Sequence, residues 1–137
     1  MDEFTITSEL RFDAGVNRSN FENLKRDLKT SIANSLQNVE PGMITLTLKS
    51  GTARLRRLIG TIVVVTIRTK EENVAEELRN YLYNDAKTFI STMKYEISQS
   101  PALTDAGVEL DSVTDVSCEG CGKSILIFEH IKISSII

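Results

Sequence analysis

The run Thr61-Ile62-Val63-Val64-Val65-Thr66-Ile67-Arg68 constrains this chain more than any other stretch. Every residue but the last is β-branched, which disfavours a helix and suits a pleated surface. The run does not alternate polar with apolar, so it is expected to be a central strand covered on both sides for part of its length. Such a strand needs neighbours. Phe4, Ile6, Leu10 and Phe12 fall on even positions with Thr5, Thr7, Glu9 and Arg11 on odd ones, the two-residue period of a half-buried strand over residues 3–12. Ile44, Leu46 and Leu48 against Thr45, Thr47 and Lys49 give another. Val108, Leu110 and Val116 place a fourth strand over residues 108–117, with Val113 off the alternation at a bulge.

Between these strands the period changes. Ser19-x-x-Glu22 reads as a capping box ahead of Phe21, Leu24, Leu28, Ile32 and Leu36, a helical stripe over residues 20–37. From Glu71 to Ser98, Val74, Leu78, Leu82, Phe89, Met93 and Ile97 keep helical spacing except at Asn84-Asp85. There Asp85 is expected to cap a new segment, giving one bent helix or two short ones. Pro101 is expected to end it, and Gly107 marks a turn. The order strand, helix, strand, strand, helix, strand is α+β and describes a ferredoxin-like two-layer sandwich. Its antiparallel sheet follows βαββαβ order, with two helices on one face.

The chain has 137 residues, the length of one domain. Residues 1–117 complete it, and residues 118–137 are a tail in which Ile125, Ile127, Ile131 and Ile133 alternate. That tail either adds an edge strand or ends as a fragment. Sixteen Lys and Arg against 19 Asp and Glu leave a net charge of −3, so the chain lacks the basic field that draws proteins to nucleic acid. An RNA-reading sheet of this topology displays aromatics on its central strands, and Ile62 to Arg68 has none. No apolar stretch is long enough to span a membrane, and the acidic start MDEFTITSEL does not read as a signal peptide.

Two adjoining motifs occupy the connection between the second and third strands. Arg54-Leu55-Arg56-Arg57 fits the R-x-[KR]-R pattern of furin-type proteases, with cleavage after Arg57; the alternative is a solvated charge cluster. Gly60-Thr61 then leads into the β-branched run. Here, and in its order of elements over residues 3–117, the chain resembles the SEA domain family of extracellular modules, whose self-cleaving members carry Gly-Ser-Val-Val-Val at this place. The basic loop ahead of Gly-Thr-Ile-Val-Val-Val is also similar to SEA-like repeats of algal and protist surface proteins. The resemblance implies that Gly60 supplies a carbonyl and Thr61 the hydroxyl that attacks it, the two products staying joined by the sheet. Threonine stands where the family has serine, and its extra methyl crowds a tight turn. The alternative is a turn glycine before a strand.

The remaining motifs are weaker. Asn17-Arg18-Ser19 is an N-glycosylation acceptor or a turn before a helix. Ser117 to Ser124 imitates a phosphate loop, but Ser117 replaces its first glycine and too little chain follows. Cys118 and Cys121 are half a zinc site, a redox pair or part of a glycine-rich turn; the chain's single histidine, His130, does not complete a metal set. No cofactor or metal is expected. Without a nucleophile, base and acid in recognisable grouping, the chain is read as noncatalytic.

The expected function is a structural or adhesion module of a cell-surface or secreted glycoprotein, processed between strands 2 and 3. Its partners are another protein or flanking domains of a larger chain, not nucleic acid. The rival is an intracellular ferredoxin-like domain that binds a small molecule or a protein partner, cytoplasmic if the chain is complete as written.

Overall fold

The computed structural model describes residues 3–49 and 60–121. Four strands, β1 (Phe4–Ala14), β2 (Ile44–Leu48), β3 (Thr61–Thr69) and β4 (Glu109–Glu119), form one antiparallel sheet in the order β2-β3-β1-β4. Four helices, α1 (Phe21–Asn34), α2 (Glu72–Asn84), α3 (Ala86–Ser98) and the short α4 (Pro101–Ala106), complete the layer above it. A single 3₁₀ turn, Pro41–Met43, leads into β2. The protein is therefore α+β.

Alternation in the strands decides which face the helices cover. Ile6, Leu10 and Phe12 of β1, Ile44 and Leu46 of β2, and Val63, Val65 and Ile67 of β3 are buried beneath Leu28, Ile32, Leu78, Leu82, Phe89 and Met93. Among the described residues the helices cover the face of β3 that carries Val63, Val65 and Ile67, while Ile62, Val64 and Thr66 on the other face are only partly buried. The expectation that β3 is central holds, because it pairs with β1 and β2.

Ser8 is buried on the inner face where alternation calls for an apolar residue. Its hydroxyl donates to the Thr114 carbonyl at 3.0 Å. Opposite it, the β1–β4 register shifts between Thr7 and Glu9, and Asp115 takes a φ of 52°. A bulge interrupts the ladder at that point, and the serine bonds back to it across the strands. The bulge is not at Val113, which pairs with Leu10.

Helix boundaries follow local chemistry in ways the stripe alone did not set. The N-cap of α1 is Asn20, and the Ser19 capping box does not form: the Ser19 hydroxyl donates to Asn17 Oδ1. Helix α1 ends at Asn34, though Leu36 beyond it is still buried. The second stripe breaks into α2 and α3 at Asp85, the residue shared by both ends, but its side chain makes no capping bond. Pro101 does not finish the helical stretch; it is the first residue of α4, with the Ser100 hydroxyl accepting the Leu103 N–H. Proline suits that position because its missing N–H would have had no helical partner. Gly107 caps the far end at φ 74°.

Candidate processing site

The connection from β1 to α1 and the first residues of β3 come together at one corner of the sheet. Thr61 opens β3 and pairs with Phe12 of β1. Its Oγ1 donates to the Val16 carbonyl at 2.6 Å, tying β3 to the segment that leads into α1. Gly60 lies so close to β1 that a Cβ placed on it would sit 3.0 Å from the Phe12 carbonyl oxygen and 3.3 Å from Arg11 Nε. A side chain at this position requires its neighbours to move, which accounts for the glycine. Arg11 is bound in turn by Asp13 at 3.3 Å and by Asp111 across β4.

This arrangement brings the sequence-predicted pair Gly60 and Thr61 together with a cation that sequence reasoning missed. Arg11 was legible only as an outward residue of β1; its approach to Gly60 depends on the register of β1 with β3. Neither Gly60 nor Thr61 has a positive φ. In this geometry the Thr61 proton is held by a carbonyl, which accepts a hydrogen bond but does not take the proton away. Attack on the Gly60 carbonyl therefore requires Thr61 to leave Val16, and the nearby guanidinium would favour a developing oxyanion rather than act as base. Arg54, Arg56 and Arg57 lie outside the described residues.

Asn17 is exposed and its Oδ1 accepts hydrogen bonds from the Asn20 N–H at 3.0 Å and the Ser19 hydroxyl at 2.6 Å. The structure thus joins the two ends of the Asn17-Arg18-Ser19 motif. Cys118 and Cys121 form a disulfide at the end of β4, with Cys121 buried and Cys118 half-buried. Gly120 between them takes a φ of 99° and packs against Phe4, so the expected glycine turn is present and the two thiols close it. The short Cys-x-x-Cys spacing with a glycine was the available signal for this bond.

Among the described residues no group of three or more His, Cys, Asp or Glu side chains is placed to hold a metal, and no helix is long and apolar enough to cross a membrane. A cleft of about 340 Å³ opens between the end of α1 and the outer face of α2, lined by Ser35, Gln37, Glu77, Leu78 and Tyr81. The fold and its sites define an α+β protein with a four-stranded antiparallel sheet among the described residues. No protein-family model, curated protein or solved structure matches the chain.

Proposed function

We propose that this chain is a noncatalytic structural or adhesion module of a cell-surface or secreted protein, similar to SEA domains, and processed in the connection between β2 and β3. The observation that carries the reading is how the sheet is shared across that connection. A cut there leaves β1, α1 and β2 on one piece and β3, α2 to α4 and β4 on the other. Every strand pairing in the sheet, β1 with β3, β1 with β4 and β2 with β3, then joins one piece to the other. Separating the pieces means unzipping the whole sheet. Such an architecture holds a cleaved protein together until force or denaturant parts it, and its partners are flanking domains or another protein. Counted from the β4 edge, the strand order is 4-1-3-2, which supports the ferredoxin-like βαββαβ reading.

The test is intact mass after secretion from eukaryotic cells. Two masses meeting after Arg57 or after Gly60, eluting together in native buffer and apart in denaturant, are expected; R57A removes the first cut and T61V, which lacks the attacking hydroxyl, the second. A single uncut chain from native material counts against processing.

The cleft favours a second reading. Its volume lies within the few hundred Å³ typical of small-molecule sites, in keeping with an intracellular ferredoxin-like domain that binds a ligand. Amide shifts confined to Ser35, Gln37 and Glu77 on addition of small-molecule fragments would support it.

A further inference from the structure

We infer that Asn17 carries an N-linked glycan and that the turn around it is arranged to keep that glycan at no cost to the fold. The inference rests on the surface or secreted reading, because the transferring enzyme works in the secretory lumen. In the transfer, Asn17 Nδ2 forms a bond to C1 of an oligosaccharide carried on a polyprenyl diphosphate. The C1–O bond breaks, the diphosphate leaves with the electron pair, and one Nδ2 proton is lost to the transferase.

The folded geometry leaves the right atom free. The Asn20 backbone N–H can only donate, so the side-chain atom of Asn17 that faces it is the oxygen. Oδ1 also accepts the Ser19 hydroxyl, and Nδ2 makes no hydrogen bond to any described residue. Asn20, three residues on, differs: its Nδ2 donates to the Gly15 carbonyl at 2.8 Å and its Oδ1 accepts the Asn17 N–H at 2.9 Å. A glycosylated Asn17 keeps its oxygen, so both bonds that shape the turn survive attachment. The turn in turn starts α1, since the Asn17 carbonyl accepts the N–H of buried Phe21. Of the chain's asparagines, Asn17 is the only one followed two residues later by Ser or Thr.

The experiment expresses the chain behind a cleavable secretion signal in mammalian cells. One glycan is expected, released by peptide N-glycosidase and mapped by mass spectrometry to Asn17. It should be lost in N17Q and in S19A, kept in S19T and R18A, and the glycosylated chain should melt at the same temperature as the bacterial one. S19A keeps Asn17 itself, so loss of the glycan there does not depend on N17Q folding. A secreted wild-type chain without sugar, or a sugar that survives S19A, overturns the assignment; a glycosylated chain that melts clearly lower overturns the claim about the turn. Forced secretion delivers the chain to the lumen whatever its native location. Failure there counts against Asn17 alone, whereas finding the native protein in cytosolic fractions counts against the surface reading.

Discussion

At Gly15 two separate demands fall on one residue. Its φ of 90° lies in the region L-residues avoid, and an added Cβ would meet the Val108 backbone at 2.4 Å, closer than atoms approach. The approach is what lets the chain turn from β1 toward α1 beneath the start of β4. Because the obstacle is backbone, no rotamer change relieves it. G15A is expected to lower unfolding free energy by about 3 kcal/mol or more in urea titration, while G42A, whose added Cβ meets nothing within 4 Å, changes it little. Lys49 offers a pH test on the open face. Its pKa is raised above the ordinary 10.5 by a hydrogen bond from Nζ to Glu9 and by that carboxylate's charge. A raised pKa means the folded state holds the proton longer, so this contribution is complete below about 10.5 and fades as pH rises through the folded value. Wild type should therefore lose its advantage over K49M in denaturation compared at pH 9 and above pH 11.

Within the strands, parity separates residues that look alike in sequence. Val64 and Val65 are neighbours in one β-branched run, yet Val65 is 3% exposed under the helices and Val64 faces outward. V65A is expected to cost about 2 kcal/mol or more through lost burial and the space left behind, and V64A less than about 1. Equal losses in the two denaturation curves would mean that both faces are covered. At the end of β4, the disulfide spans only three residues in sequence, so chain entropy assigns it roughly 2 kcal/mol. Burial changes how the two sulfurs respond. C118S opens the bond at a half-buried position, whereas C121S also leaves a hydroxyl in an apolar pocket, and should be the more destabilising in thermal melts. Hydrogen exchange should then rise first at Thr5 to Thr7 and Ser117 to Glu119, the pairs beside the turn.

Across the molecule, the sheet order makes the two halves mutually dependent. Residues 1–60 hold β1 and β2, which are not neighbours, and residues 61–137 hold β3 and β4, which are not neighbours either. Among the described strands neither half pairs its own, so each alone is expected to be largely unfolded. Mixed together, they should regain the circular dichroism and a cooperative melt of the intact chain. Two fragments that each fold alone would contradict this topology. The same interleaving would hold the two pieces together under the processing proposed above.

The sequence by itself determined the elements: a two-residue period in residues 4–12 and 44–48, β-branched residues from Thr61, and stripes of three and four in the helices. These are local consequences of strand and helix geometry, and they gave the α+β class, the break at Asp85 and the turn at Gly107. It also held the candidate residues Asn17, Gly60 and Thr61, because motifs are properties of neighbours in the chain. What only the tertiary structure decided is everything set by register and by non-local contact. Which face of β3 is covered, why Ser8 is tolerated opposite a bulge, and the capture of the Thr61 hydroxyl by Val16 all depend on which strand lies beside which. So does the approach of Arg11 to Gly60. Pairing partners far apart in sequence leave no periodic trace in either segment, since a strand presents the same alternation to any neighbour.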